Sequence, residues 1–88
     1  MPWYRVAYGP DILADLAALD KPTAQRLLDK TKWLASNVGN LRHEPIAADL
    51  PGLCKYAVGD WRIFYRIDEA DARLSIHGIA RQRDCYPR

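Results

Sequence analysis

The sequence predicts an α+β domain: an N-terminal strand, a helical hairpin and an antiparallel three-stranded meander, in the order β-α-α-β-β-β. Three observations lead there. First, residues 53–58 and 61–67 are runs rich in β-branched and aromatic side chains, set on either side of Gly59-Asp60. That pair is a two-residue hairpin signal, because glycine tolerates φ > 0 at the first central position of a type II′ turn. Second, apolar residues between Pro10 and Ala35 recur at helical rather than strand spacing. Third, helices and strands are segregated along the chain, which implies a mostly antiparallel sheet with the helical hairpin across one face.

The elements follow in order. Trp3-Tyr4-Arg5-Val6-Ala7-Tyr8 alternates and ends at Gly9, as a first strand should. Pro10-Asp11 opens a helix, with proline early and an acid where the helix dipole favours one. Ile12, Leu13, Leu16 and Leu19 supply its apolar side. Asp20-Lys21-Pro22 breaks and restarts the chain, with Asp20 as the cap of a second helix and Pro22 in its first turn. Ala24, Leu27, Leu28, Thr31, Leu34 and Ala35 form one stripe of that helix, and Arg26, Asp29, Lys30 and Lys32 its solvated side. Residues 36–40 end it with turn formers, and residues 41–51, with two prolines and little periodicity, read as irregular. After the hairpin come a polar turn at 68–71, a last strand at 73–79, and a polar, basic tail.

Pairing across Gly59-Asp60 sets Val58 opposite Trp61, Ala57 opposite Arg62, Tyr56 opposite Ile63, Lys55 opposite Phe64 and Cys54 opposite Tyr65. Opposed residues share a face, and faces alternate along each strand. One face then holds Cys54, Tyr56, Val58, Trp61, Ile63, Tyr65 and Ile67, a core wall. The other holds Leu53, Lys55, Ala57, Arg62, Phe64 and Arg66, a basic surface with an aromatic set into it. A one-residue slip would turn the apolar set to water, so the pattern defends this register.

Composition narrows the field. Residues 1–88 fit a single domain able to bury one core without disulfides or a metal. Net charge is only +2, but its placement is uneven. Residues 1–50 carry six basic and six acidic side chains, whereas residues 51–88 carry seven and five, so the excess sits with the hairpin and tail. No apolar run approaches the roughly 18–20 residues of a membrane span, and the N-terminus lacks a secretory pattern, so a cytoplasmic chain with no membrane partner is expected. Cys54 and Cys85 have no C-x-x-C spacing; they read as reduced thiols, and neither metal nor cofactor is expected. His43 and His77, without a second ligand at metal spacing, read as loop or strand surface. Trp3, Trp33 and Trp61 read as core or subunit-contact residues.

Tyr4-Arg5-Val6 leading into Pro10-Asp11, Leu16 to Lys21, Leu50-Pro51-Gly52-Leu53, the run from Val58 to Ile67, and Arg83-Asp84-Cys85-Tyr86 together resemble the RelE/ParE superfamily. These are the toxin halves of bacterial toxin–antitoxin pairs, and the resemblance covers nearly the whole chain. It implies a small α+β toxin neutralised by a partner antitoxin that wraps around it. The RelE-like branch cuts messenger RNA in the ribosomal A site; the ParE-like branch poisons DNA gyrase. In the RelE-like branch, lysines, arginines and a C-terminal tyrosine run cleavage by the 2′-hydroxyl.

That chemistry requires removal of the 2′-OH proton, stabilisation of a dianionic phosphorane and protonation of the leaving 5′-oxygen. Arg62 matches the hairpin arginine of the motif and suits the phosphorane, being permanently charged and able to hold two oxygens. Lys55 matches a family lysine, for charge stabilisation or as a base. Arg81 and Arg83 both lie near the family's tail arginine, and the spacing does not choose between them. Tyr86 matches the terminal tyrosine, expected to stack on or orient a nucleotide. Phe64 and Arg66 are expected to add nucleic-acid contacts. The chain departs from vigorous RelE-type nucleases at Ala57, where they carry a second strand lysine, at Ala47, where they carry a basic loop residue, and at Arg81-Gln82, which replaces a His-Arg pair. The expectation is therefore a type II toxin acting as a ribosome-dependent messenger RNA endoribonuclease with a thinned site. The alternatives are a gyrase inhibitor without cleavage chemistry, or an attenuated toxin kept in a regulatory complex. An antitoxin is the expected partner in each.

Overall fold

The computed structural model describes residues 3–46 and 52–81. Its elements run β1 (Arg5–Tyr8), α1 (Pro10–Ala17), α2 (Lys21–Ser36), a 3-10 turn (Val38–Asn40), β2 (Glu44–Pro45), β3 (Leu53–Val58), β4 (Trp61–Asp68) and β5 (Arg73–Arg81). The strands form one sheet in the order β1-β5-β4-β3-β2.

Local chemistry explains the boundaries. Pro10 occupies the first turn of α1, where its missing N–H costs nothing. The Asp20 carboxylate caps α2, accepting from the Thr23 amide at 3.2 Å and the Thr23 hydroxyl at 3.0 Å. Gly59 enters the β3–β4 turn at φ 59° while Asp60 keeps a negative φ, the combination a type II′ turn requires.

The β3–β4 register is the one the alternation demands, with Val58 opposite Trp61 through to Leu53 opposite Arg66. Cys54, Ile63 and Tyr65 turn inward and are buried, joined by Leu74 and Ile76 of β5. Ile12 and Leu16 of α1 and Leu27, Leu34 and Ala35 of α2 close the core from the helical side. Thr31 is the buried polar residue of that stripe. Its hydroxyl donates to the Leu28 carbonyl at 2.7 Å and accepts from the Tyr8 hydroxyl at 2.8 Å, so its burial leaves nothing unsatisfied.

The structure departs from expectation in several places. β1 pairs in parallel with β5, because the helical hairpin and meander together supply the long crossover a parallel pair needs. The stretch expected to be irregular contains β2, whose Glu44 and Pro45 pair with Lys55 and Cys54. Proline is tolerated there because the strand is an edge. β5 continues to Arg81, two residues beyond the predicted end, since Ala80 and Arg81 still pair with Arg62 and Trp61. Leu13 is 59% exposed and Trp3 72% exposed, so neither joins the core.

His43 also differs from its expected surface role. It reaches inward between the 3-10 turn and the sheet, with Nδ1 2.6 Å from the Tyr65 hydroxyl and Nε2 2.8 Å from the Val38 carbonyl. A carbonyl only accepts, so Nε2 carries the proton there and Nδ1 accepts from Tyr65. His77 is exposed as expected; it is the extra residue of a β-bulge where β4 and β5 change register.

Candidate functional site

The outer face of the sheet, away from the helices, collects the basic residues of four strands. Lys55 lies on β3 directly opposite Phe64, and Arg62 opposite Ala57 on the same face. Lys55 and Arg62 are therefore diagonal neighbours, a relation that sets backbones about 7–8 Å apart and long side chains within reach of a common ligand. Arg66 follows two residues beyond Phe64, opposite Leu53 and Ser75, and is exposed. Arg62 is half-buried and spends one N–H on the Trp61 carbonyl at 3.2 Å, one of the five its guanidinium carries.

Phe64 owes its position to β5. It pairs with Gly78, and a Cβ at Gly78 would stand 3.3 Å from Phe64 Cδ2. The ring thus lies down over the glycine rather than standing clear of the sheet. It makes a flat apolar floor flanked by Lys55, Arg62 and Arg66.

Three residues of this face, Glu44, Arg5 and Arg73, were not among the site residues expected from the sequence. Glu44 on β2 pairs with Lys55 in register, its Oε2 3.6 Å from Lys55 Nζ. It adds a carboxylate beside Lys55, as Asp68 does beside Arg73 toward the far edge of the same face. Alternation would have exposed it only if β2 had been recognised, and a two-residue strand is too short to show a period. Arg5 and Arg73, register partners across β1 and β5, extend the cationic surface toward the far edge. Arg73 is already engaged by Asp68 at 3.3 Å and Asp71 at 3.6 Å.

Arg81 is placed elsewhere. It pairs with Trp61, whose side faces the helices, and its guanidinium carbon lies 5.2 Å from the Trp61 ring centroid. Its charge also reaches Asp20 at the N-terminus of α2. That carboxyl is held below its usual range chiefly by the Thr23 hydrogen bonds, with a weaker contribution from Arg81. Lys55, Arg62, Phe64 and Arg66 thus share one face and Arg81 belongs to the other. Arg83 and Tyr86, like Ala47, lie outside the described residues.

Among the described residues, no group of histidine, cysteine or acidic side chains is placed to hold a metal ion, and no helix is long and apolar enough to cross a membrane. Cys54 is buried beside the core, and burial raises its thiol above the usual range. A thiol held neutral is a poor nucleophile.

A five-stranded mixed sheet with a helical hairpin packed on one face is a RelE-like α+β fold. Residues 6–86 match the family described as ParE toxin of type II toxin–antitoxin system, parDE. The chain belongs to that family, within the RelE/ParE superfamily, and is the toxin of a type II toxin–antitoxin system. Solved structures agree on the fold. The RelBE2 toxin–antitoxin complex from Mycobacterium tuberculosis is similar with TM-score 0.81 and 21% identity, over 92% of this chain and 93% of that one. The archaeal RelE–RelB complex from Pyrococcus horikoshii OT3 gives 0.72 and 22%, over 93% and 97%. The intact RelBE complex from Escherichia coli gives 0.66 and 14%, over 89% and 95%. No curated protein matches the chain.

Proposed function

We propose that this toxin cleaves messenger RNA on the ribosome, with the outer sheet face as its RNA-binding and reacting surface. The observation that carries the reading is Arg62, Lys55 and Glu44 gathered on one face beside the flat ring of Phe64. Attack of a 2′-oxygen on the adjacent phosphorus forms a 2′,3′-cyclic phosphate and releases the 5′-oxygen of the next nucleotide. Glu44 is the carboxylate positioned to take the 2′-OH proton. Arg62 holds the phosphorane oxygens, and Lys55 adds charge and a proton for the leaving oxygen. Phe64 offers a ring on which a base stacks, a contact typically worth about 1–3 kcal/mol, and Arg66 holds the strand's phosphates. Arg83 and Tyr86 remain the tail candidates; Arg81, turned toward the helices, is the weaker of the two arginines for this role.

Induction of the wild-type chain is expected to arrest growth and to produce cuts phased with the ribosomal A site. Arg62→Ala should relieve the arrest while keeping its circular dichroism spectrum and thermal transition. Intact transcripts during arrest, or full toxicity from Arg62→Ala, overturn the assignment.

A second reading is inhibition of DNA gyrase without cleavage. It is favoured by the match to the ParE family and by the separation of Arg81 from the other cations. Loss of gyrase supercoiling in a purified assay, with unaffected translation, selects it. An antitoxin is the expected partner under either reading, with the ribosome and messenger RNA, or gyrase, as target.

A further inference from the structure

A second opening lies on the outer face beyond Arg66, and the cleavage chemistry does not use it. β1 ends at Tyr8, and Pro10 turns the chain away into α1. A cavity of about 390 Å³ is left there, between the end of β1 and the neighbouring β5. Ala7 and Ser75, register partners on the outer face, are too short to fill it, and Gly9 has no side chain. His77, exposed on the β-bulge of β5, lines one side. Arg73 and Asp11 supply the charged groups of the lining.

The cavity adjoins the course proposed for the RNA. Arg66 lies two residues from Phe64, about 7 Å along β4. It pairs with Ser75, one strand spacing of about 4.8 Å away. A strand whose base stacks on Phe64 and whose phosphate meets Arg66 therefore carries a neighbouring base over Ser75 to the opening.

Charge and hydrogen bonding decide what enters. Asp11, with Asp68 and Asp71 on Arg73, sets three carboxylates against the guanidiniums of Arg73 and its register partner Arg5. That balance disfavours a phosphate and suits a neutral group such as a nucleobase. A carboxylate only accepts hydrogen bonds, so Asp11 requires a base edge that donates. The exocyclic amino group of cytosine is such a donor, whereas uracil has a carbonyl oxygen in the same place. Both ion pairs of Arg73 use Nη2, and Nη1 has two N–H groups of its own for a base's acceptors. The His77 imidazole offers a ring against which an unpaired base can stack.

We infer that this cavity seats a base flanking the reacting step and selects one that carries an exocyclic amino group, with Asp11 as the discriminating residue. The inference rests on the outer face's being an RNA-binding surface, and it names the bases that surface prefers.

The test uses the full chain and two short single-stranded RNAs, a uridine tract and the same tract with one central cytidine. Both are 2′-O-methylated so that neither can be cut. Amide resonances of Arg62 and Phe64 report the outer face, and those of Ala7, Ser75 and His77 report the cavity. The cytidine should tighten binding by about fivefold, the scale of one net hydrogen bond, and shift the cavity amides as well as the face. Asp11→Ala should abolish that preference with its thermal transition retained, and should bind the uridine tract no more weakly, since a negative charge has gone. Equal affinity for the two RNAs, a preference that survives Asp11→Ala, or cytidine-dependent shifts only away from the cavity would each overturn the proposal. Shifts at Arg62 and Phe64 with no cytidine effect overturn the cavity alone, and RNA that moves none of these amides overturns the outer-face reading with it. A cytidine preference in a chain that cuts no messenger RNA would support the cavity while the cleavage reading falls.

Discussion

His43 Nδ1 lies 2.6 Å from the hydroxyl of Tyr65, a residue only 1% exposed, while Nε2 of the same ring holds the Val38 carbonyl. One imidazole therefore ties the chain that leaves α2 to the middle of β4, just before Glu44 enters β2. Burial raises the Tyr65 hydroxyl's pKa well above its usual value. The phenol thus stays protonated and donating across the physiological range.

Replacing Tyr65 by phenylalanine keeps the ring in the core but strands the His43 acceptor. An unsatisfied buried acceptor costs about 1–3 kcal/mol. Urea denaturation of Tyr65→Phe should show a loss in that range with an unchanged slope. Because His43 immediately precedes Glu44, amide exchange across β2 should also quicken in this variant.

Ala72 has a φ of 49°, the left-handed region, in the turn that joins β4 to β5. Its carbonyl nevertheless accepts from the Arg5 amide at 2.8 Å, fixing the start of β1 against β5. An L-residue held there is strained by about 1–2 kcal/mol, and glycine removes that strain at an entropic cost of about 0.4–1 kcal/mol. Ala72→Gly should therefore raise the thermal midpoint modestly, an unusual direction for a glycine substitution. A lowered midpoint would show that the turn tolerates alanine without strain.

Much of this fold is legible in the residues themselves. Gly59-Asp60 and the alternation around it determine the hairpin register, and Asp20-Lys21-Pro22 determines the helix break. These signals are local, and each has its own chemistry. The parallel β1–β5 pair, the short β2 and the inward turn of His43 depend on contacts made far along the chain, where neither periodicity nor capping speaks. The site divides in the same way. Lys55, Arg62, Phe64 and Arg66 fall together because they share one hairpin. Glu44 and Arg81 were hidden because their faces depend on which strand lies beside them, and Arg81 was read as tail rather than strand.

The Asp20 cap gives α2 a pH-dependent start. Its carboxyl is held low by the Thr23 hydroxyl and amide, so the folded pKa lies below the unfolded one. The sign follows: the contribution to stability is full above the unfolded carboxylate value and disappears as pH falls through the folded value. Asp20→Ala should melt below the wild type at pH 7. The gap should close in acid, below about pH 4. A gap that persists at low pH would assign the effect to hydrogen bonds that the neutral carboxyl still accepts from Thr23 rather than to its charge.

Glu44 and Lys55 separate binding from chemistry in the cleavage reading. Glu44 is exposed and its pairing with Lys55 spans 3.6 Å, a surface ion pair worth about 0.2–1 kcal/mol, so Glu44→Gln should leave the fold intact. Removing the charge also leaves the outer face more positive. Affinity for a short single-stranded RNA should rise, by no more than about fivefold on that energy scale. If the carboxylate takes the 2′-OH proton, cleavage on programmed ribosomes should fall by about a hundredfold or more, the usual loss of a general base. Tighter binding with slower cutting is a combination that a merely structural glutamate would not give. Unchanged cleavage would return the proton-accepting role to Lys55, whose replacement by methionine should then abolish cutting.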